Sequence, residues 1–350
     1  MAKKAGALNL GKITLDAAQA ADLKALETEG FVGLLAQDPG NGKGHPLDEP
    51  VLTPNGWVAM GDLKVGDEVV GSDGLGTQVL DVYDRGELPV YRVTFRDGSS
   101  VRVDGDHLWQ IKTGPYERVV ETRELLEWSR DRLSKHYIPQ NPEVVHPTAD
   151  LPLDPYILGA LIADGYLSAP KHSVQWSKNE QSVVDEMRDA CARQGVQLTG
   201  GERYDTVHQY RVTGMRQIVR DLGLDVLSGE KFIPAEYLTA SVAQRWSLVN
   251  GLFDGDGRVR ENRGTARYST VSNRLADDVL QLLWSLGVSA TKSWKRHPRA
   301  GWWEVVIHSS HNPFKASGNR DLAVGGKRTL RRSFKSIELE GYEPLTITCT

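Results

Sequence analysis

The sequence predicts a mainly β domain that is interrupted by an inserted α+β domain with an internal repeat. Between residues 45 and 112, short runs of β-type residues alternate with turn signals such as PNG, SDG and RDG, which is typical of an all-β region. From about residue 150 to residue 325, helical patterns are mixed with β-runs, and β character returns in the tail. We therefore expect one β domain that begins near Gly44, is interrupted, and resumes near residue 326.

The composition is that of an ordinary globular chain and excludes several classes of protein. The 350 residues carry a formal net charge of −4, so a nucleic-acid surface would have to be a local patch. The two cysteines, Cys191 and Cys349, are too few for a disulfide framework or a cysteine-rich zinc site. No run of residues has the length and apolarity of a signal-peptide core or a membrane span. We expect a cytoplasmic protein with no membrane partner.

Two related helical motifs carry the strongest chemical signal. ILGALIADG (157–165) and VNGLFDGDG (249–257) are each an apolar helix with a central glycine and a terminal acid, Asp164 or Asp256. Each is followed by a strand, an amphipathic helix that ends in Gly-Val, and a further strand, so four elements recur in the same order. If the two helices pack side by side, the carboxylates meet and can hold divalent metals across a scissile phosphate. One copy alone could merely end a core helix; the repetition favours the functional interpretation.

The repeated motif resembles that of the LAGLIDADG homing endonucleases in their two-motif, single-chain form. This resemblance implies two pseudo-symmetric αββαββα halves, sheets that lie in the DNA major groove, and a double-strand break as product. It also implies that Asp164 and Asp256 are the catalytic acids that bind Mg²⁺. Asp254 matches the earlier acid of the motif, but the first copy has Ile162 there, so we assign Asp254 no catalytic role.

Basic residues of the insert supply candidates for phosphate and DNA contacts. The segment GEKFIPAEYL resembles the Lys-x-Ile-Pro block of the family, which implies that Lys231 stabilises charge or positions water near the phosphate. The stretch KSWKRHPRAGWW is the most basic and aromatic part of the chain and suits phosphate contacts and stacking. The candidate DNA-contact residues on the β-runs are Gln175, Lys178, Arg211, Arg267, Lys292, Lys295, Arg296 and Arg299.

The β region resembles the horseshoe-like Hint splicing domain of inteins. The matching segments are residues 44–74, residues 98–111 and the tail from Arg332. The resemblance implies that His107 is the block histidine, which acts as general acid and base on the upstream scissile amide. The family usually has Thr at the position of Asp104, and that Thr helps to destabilise the scissile amide. We assign this contribution to no residue of the sequence.

The nucleophile predicted for splicing is unusual. Inteins usually begin with Cys or Ser, whereas Gly44 begins this one, immediately after Lys43. Trp109 lies two residues after His107, and Cys349 lies in the tail where ordinary inteins often carry Asp, a combination that resembles class three inteins. In that class the tail Cys attacks the upstream junction directly and forms a branched thioester. The resemblance therefore implies that Cys349 attacks the Lys43–Gly44 junction, that Trp109 shapes the site, and that splicing needs no cofactor.

The segment before the junction approximates a phosphate-binding loop. LLAQDPGNGK places Gly40, Gly42 and Lys43 as in such loops, but Gly44 follows where Ser or Thr must bind Mg²⁺. An intein inserted between Lys43 and a downstream Thr explains this departure. The loop resembles that of superfamily-two helicases, so we expect ATP to bind only in the spliced host protein.

These observations predict four parts. They are an N-extein helicase fragment (1–43), the first Hint segment (44–145), the endonuclease (146–325) and the second Hint segment (326–350). Family members end in a His-Asn pair followed by Ser, Thr or Cys. We therefore expect the Hint segment that ends at Thr350 to be truncated and unable to complete splicing alone.

The predicted function is an intein with a site-specific homing endonuclease. Its expected partner is double-stranded DNA of the intein-less host allele, and its expected state is a monomer encoded by a bacterium or phage. One alternative is a stand-alone LAGLIDADG nuclease or DNA-binding protein, which leaves the block around His107 and the broken phosphate loop unexplained. Another is a P-loop ATPase with a large insertion, which predicts nucleotide binding by the unspliced chain.

Overall fold

The computed structural model describes residues 44–168, 174–260, 264–297, 301–323 and 331–349. The expected helix at residues 12–29 and the phosphate-loop residues Gly40, Gly42 and Lys43 lie outside the described residues, as does Arg299. Cys349 is described through its backbone only. Within the described ranges, no helix combines the length and apolarity that crossing a membrane would require.

The first part of the chain is β-rich, as predicted. Its strands are β1 (His45–Pro46), β2 (Pro50–Thr53), β3 (Gly56–Ala59), β4 (Glu68–Val70), β5 (Gly76–Gln78), β6 (Asp81–Phe95), β7 (Ser100–Val103), β8 (Leu108–Thr113), β9 (Tyr116–Glu121) and β10 (Tyr137–Ile138). Two short helices, α1 (Thr122–Leu126) and α2 (Arg130–Lys135), lie between β9 and β10. The side-chain oxygen of Ser129 accepts a hydrogen bond from the Arg132 amide and so starts α2 as a separate helix.

The insert has the order αββαββα in each half, as predicted. The first half comprises α3 (Pro155–Asp164), β11 (Gly165–Tyr166), β12 (Val174–Ser177), α4 (Gln181–Arg193), β13 (Leu198–Tyr204), β14 (Val207–Val212) and α5 (Arg216–Asp221). The short helix α6 (Ala235–Leu238) connects the halves. The second half comprises α7 (Val242–Asp256), β15 (Gly257–Arg260), β16 (Thr265–Thr270), α8 (Asn273–Ser285), β17 (Ala290–Lys295), β18 (Trp302–Ile307) and α9 (Asn319–Leu322). Each half has a four-stranded antiparallel sheet, ordered β11-β12-β14-β13 or β15-β16-β18-β17.

The last strand, β19 (Arg332–Cys349), joins the tail to the first β segment. It pairs antiparallel with β6 from Phe334 opposite Phe95 to Cys349 opposite Asp81, and it also pairs with β1 and β10. The resulting sheet has the order β7-β6-β19-β10-β8-β9, with β1 on β19. The tail strand therefore completes the sheet of the β domain after the insert.

An extended segment, residues 139–154, connects the β domain to the insert and contains the predicted boundary at residue 145. Arg245, which is fully buried, holds this segment: its guanidinium donates to the Ala240 carbonyl at 2.8 Å, the Ser285 carbonyl at 2.9 Å and the Val144 carbonyl. On the other side, the His146 ring hydrogen-bonds the Pro54 carbonyl of the β domain at 2.8 Å. These contacts tie both domains to one segment.

Glycines allow α3 and α7 to pack with their backbones in contact. A Cβ atom added at Gly159 would lie 2.7 Å from the Leu252 nitrogen, and one added at Gly251 would lie 2.9 Å from the Ala160 nitrogen. Real side chains do not approach backbone atoms so closely, so both positions require glycine. The two helices form the centre of one apolar core shared by both halves of the insert.

We predict that Gly251→Ala destabilises the insert by about 2 kcal/mol or more, because the added methyl group must push the two helices apart. Thermal unfolding of the full chain measures this loss. The matched control is Gly229→Ala, because no atom lies within 4 Å of a Cβ at Gly229. Equal thermal unfolding midpoints for the two variants would contradict the proposed contact between α3 and α7.

Candidate functional sites

The first site lies where α3 and α7 end side by side. Asp164 is the last residue of α3, and Asp256 is the last residue of α7. A Cβ at Gly255 would overlap the Cβ of Ala163 and lie 3.5 Å from an Asp164 carboxylate oxygen, so the helix ends touch. The structure thus brings together the two acids that the repeat singled out.

The two acids lie close enough to influence each other electrostatically. The pKa of Asp256 is raised to about 6, first by burial and then by the negative charge of Asp164. Lys231, Lys178 and Arg258 oppose this rise through their positive charges. Without a bound cation, the Asp256 carboxyl is therefore partly protonated near pH 6. Binding a divalent cation would favour its ionised form.

The Lys231 side chain lies against the end of α3. It is 6% exposed, and its ammonium donates to the carbonyls of Ile162 at 2.6 Å and Gly165 at 2.9 Å. Burial lowers the pKa of Lys231, while the charges of Asp256 and Asp164 raise it. A buried ammonium held beside two acids can offset negative charge at this position.

The position of Lys178 differs from the prediction. We expected a DNA contact on an open β-surface, but its ammonium lies 3.0 Å from an Asp164 carboxylate oxygen and 2.8 Å from the Gly255 carbonyl. Lys178 follows β12, whose register directs Trp176 and Lys178 to the same side of the sheet. It is therefore a residue of the carboxylate site, and the sequence missed this because only the fold brings Lys178 to the end of α7.

The oxygen donors of the site suit a divalent cation. Among the residues that the structure describes, no three His, Cys, Asp or Glu side chains cluster as a metal-binding group. Mg²⁺ does not need such a cluster, because it is usually held by one or two carboxylates together with waters and substrate phosphate. The Tyr268 hydroxyl, which is buried and makes no hydrogen bond within the described part of the chain, interacts electrostatically with both acids. The residues present therefore fit a divalent cation.

Asp254 has a structural environment. It is buried and accepts hydrogen bonds from the Tyr156 hydroxyl and the Ala316 amide, both at 2.9 Å. It also accepts from the amides of Lys315 and Ser317, each at 3.1 Å. Its carboxylate anchors the segment after β18.

Strand register separates the two faces of each sheet. In the second half, Tyr268 faces the core, so its neighbour Arg267 lies on the opposite, outer face. Arg258 pairs with Arg267 and shares this face, although the sequence analysis did not select Arg258. The alternation of arginine with apolar residues in the short strand GRVR could have identified Arg258 from the sequence. In the first half, Arg211 pairs with Gln175 on the corresponding outer face.

Two of the predicted DNA contacts on the outer face of the second sheet carry an acidic partner. Glu304, which is 7% exposed, pairs with Arg267 at 2.9 Å and with Lys295 at 3.3 Å. Arg296 follows β17 and is exposed. Glu304 is therefore the central residue of this charged group, and sequence reasoning missed it by selecting only basic residues.

Lys292, which was predicted to contact DNA, lies on the helix side of its sheet. Its ammonium pairs with Asp277 and donates to the Asn273 side chain at 2.8 Å, so it faces α8 on the helix side of the sheet. It also lies 4.2 Å from the centre of the Trp303 ring. Alternation along β17 puts Lys292 on the same face as the buried Ala290.

The second site surrounds Gly44 at the start of the β domain. The Gly44 nitrogen donates to an Asp104 carboxylate oxygen at 2.9 Å, and the Asp104 amide donates to the Gly44 carbonyl at 3.0 Å. The next residue, His45, pairs with Thr346 of β19, three residues before Cys349. The pairing of β1 with β19 thus places the last residues of β19, which ends at Cys349, beside the start of the β domain.

Aromatic rings form the wall of this site. The buried His107 ring makes T-shaped contacts with the His45 ring and the Trp109 ring, with centroid distances of 4.9 Å and 4.6 Å. The Trp109 indole donates to the Thr122 hydroxyl at 3.0 Å and packs against Phe334 of β19. Trp109 therefore holds the His107 ring beside the start of β1.

Comparison with known proteins finds a matching family and similar proteins. Residues 244–315, which contain most of the second half of the insert, match the LAGLIDADG-like domain family. The replicative DNA helicase DnaB of Mycobacterium intracellulare is 30% identical over 289 residues, which are 75% of this chain and 46% of the relative. This chain thus spans less than half the length of that relative.

Two solved structures are also similar to parts of the chain. The MchDnaB-1 intein has 35% identity over 23% of this chain and 58% of its own, with a TM-score of 0.21. I-DmoI in complex with DNA and Ca has 14% identity over 48% of this chain and 94% of its own, with a TM-score of 0.36.

We predict that Asp256→Asn raises the thermal midpoint of the metal-free protein at neutral pH. The raised pKa of Asp256, about 6, means that the folded state holds this proton more tightly than the unfolded state. The free energy of unfolding therefore falls as pH rises from the ordinary Asp pKa of 3.8 through about 6. Removing the charge restores it. The gain should vanish near pH 4, and exposed Asp321→Asn should show none. A gain that does not depend on pH would contradict this assignment.

Proposed function

We propose that this chain, which carries a LAGLIDADG endonuclease domain inserted in an intein-type Hint fold, is a protein-splicing element that also cuts DNA. The observation that supports the nuclease best is the contact between the ends of α3 and α7, where Asp164 and Asp256 lie with two lysine ammonium groups. Its substrate is double-stranded DNA of the intein-less host allele, and it acts in the cytoplasm of a bacterium or phage-infected cell.

Asp164 and Asp256 would hold Mg²⁺. When bound, the metal supplies a Lewis acid that stabilises negative charge on the scissile phosphate and lowers the pKa of a coordinated water. Lys231 adds a fixed positive charge beside the acids. Lys178 neutralises Asp164 and links it to the end of α7.

DNA would lie across the outer faces of the two sheets. Arg211 and Gln175 face it from the first half, and Arg258 and Arg267 face it from the second. The two halves present different side chains at matching places, so we propose a target that is not a palindrome. Both catalytic acids belong to one chain, so a monomer can act alone.

Mutation of the acids tests the nuclease. The purified chain with Mg²⁺ should linearise a plasmid that carries the host gene without the intein. We expect Asp164→Asn and Asp256→Asn each to lower the rate by about a hundredfold or more, because each loses one charged metal ligand. Exposed Asp321→Asn should cut normally. Cleavage that survives replacement of both acids would refute the proposed site.

The second proposed activity is splicing chemistry at the Lys43–Gly44 bond. The pairing of β1 with β19 supports it, because it joins the start of the β domain to the strand that ends in Cys349. Attack of the Cys349 thiolate on the Lys43 carbonyl would form a thioester and release the Gly44 nitrogen, to which His107 would deliver the proton. Complete splicing would restore a Gly-Lys-Thr loop, so that the helicase-like host binds ATP.

A thiol-cleavage assay tests the nucleophile in the full chain. Dithiothreitol should release residues 1–43, detected by mass spectrometry, and Cys349→Ala should abolish this release. The control is Cys191→Ala, because burial raises the pKa of the Cys191 thiol to about 11 and makes it a poor nucleophile. Release that persists in Cys349→Ala would exclude the assignment.

Glu304 provides a separate test of the DNA surface. Glu304→Gln should free the charges of Arg267 and Lys295, so non-specific duplexes should bind more tightly. The slope of log affinity against log salt should steepen by about one to two, because more phosphate counterions are released. Fluorescence anisotropy at several salt concentrations measures the slope. Exposed Glu236→Gln makes the same charge change away from this group, and an equal effect in both variants would argue against the proposed surface.

A further inference from the structure

The contact between Asp104 and the Gly44 nitrogen has no counterpart in the chemistry assigned above. Asp104 is 2% exposed, and one carboxylate oxygen accepts the Gly44 N–H at 2.9 Å. The same carboxylate also accepts the Asp106 amide at 3.1 Å. Because a Cβ at Gly44 would lie 2.9 Å from this carboxylate and 3.2 Å from Leu345, the residue immediately before β1 must be small. A buried acid is thus fixed on the nitrogen of the scissile bond.

We propose that the Asp104 carboxylate stabilises the positive charge that develops on the Gly44 nitrogen when the Lys43–Gly44 bond breaks. This inference rests on the proposed splicing function. In the step, the Cys349 sulfur bonds to the Lys43 carbonyl carbon, the carbon–nitrogen bond breaks, and the thiol proton ends on nitrogen. A further proton from water then converts the new amine to an ammonium, which Asp104 holds.

The position of the Asp104 carboxylate changes the pKa of the amine that forms at Gly44. An amide nitrogen is neutral, whereas the α-amino group that replaces it has an ordinary pKa of about 7.7 to about 8.0. A carboxylate within hydrogen-bonding distance favours the ammonium over the amine and raises that pKa. Protonation removes the amine from the reverse reaction, so Asp104 shifts the unfavourable amide-to-thioester exchange towards the thioester.

Two titratable rings lie near the start of β1. The His45 ring hydrogen-bonds the Arg102 carbonyl at 3.1 Å and makes a T-shaped contact with the His107 ring. Their location suits proton transfer, whereas neither can supply a permanent negative charge.

Among the residues that the structure describes, the next neighbours are an acid paired with two arginines and an apolar side chain. The carboxylate of Asp106 pairs with Arg85 at 3.6 Å and with Arg123. From β19, the apolar Leu345 packs against Gly44. Asp104 is therefore the acid whose carboxylate contacts the Gly44 nitrogen.

The test compares the full-length wild type with Asp104→Asn, which keeps the shape and an acceptor oxygen but removes the charge. Dithiothreitol-induced release of residues 1–43 is measured from about pH 6.5 to about pH 10. If Asp104 raises the amine pKa by about one unit, wild type should react about tenfold faster near pH 7. The two rates should converge above about pH 9.5, where both amines are neutral. Asp104→Thr should behave like Asp104→Asn and serves if Asp104→Asn does not fold.

The outcomes separate this inference from the function on which it rests. Equal rates in wild type and Asp104→Asn, or a reduction that is the same at every pH, would overturn the role of Asp104 while leaving splicing chemistry in place. Absence of release in wild type would overturn the splicing proposal and this inference with it. A wild-type advantage that disappears as pH rises would support Asp104 as the stabiliser of the Gly44 ammonium.

Discussion

The close approach of α3 and α7 is the contact on which the insert depends. Gly159 and Gly251 let each backbone touch the other helix, and no larger residue fits without separating them. This contact joins the two halves into one core and sets the distance between Asp164 and Asp256. The same interaction therefore determines both the fold and the carboxylate pair, so substitutions at the glycines act on stability and on the site together.

The second constraint is the long antiparallel pairing of β6 with β19. Because β19 follows the insert in the sequence, its pairing with β6 requires the chain to return to the β domain after the insert. The buried Arg245 guanidinium, which donates to the Val144 carbonyl of the linking segment and to two carbonyls of the insert, holds this segment. The pairing also carries the backbone of Cys349 towards Gly44, so the splicing site exists only after the tail has joined the sheet.

Both sites contain acidic side chains in surroundings that influence their charge. Asp256 is kept near Asp164 at the expense of a raised pKa, and Lys178 and Lys231 offset part of the repulsion. Asp104 is held by backbone amides, including that of Gly44. A nearby positive charge favours the ionised form of a buried carboxylate. In the proposed functions, that charge is a divalent metal in one site and an ammonium in the other.

The sequence by itself determined the β domain, the two repeats and the paired acids, because periodicity and repetition are local properties of the chain. It did not reveal that Lys178 belongs to the carboxylate site, that Lys292 faces α8, or that Glu304 pairs with two cations. Those facts depend on strand register, since a shift of one residue moves a side chain to the other face. Contact between Asp104 and Gly44, sixty residues apart, was likewise decided only by the tertiary structure, which supplies the neighbours that give a residue its charge state and role.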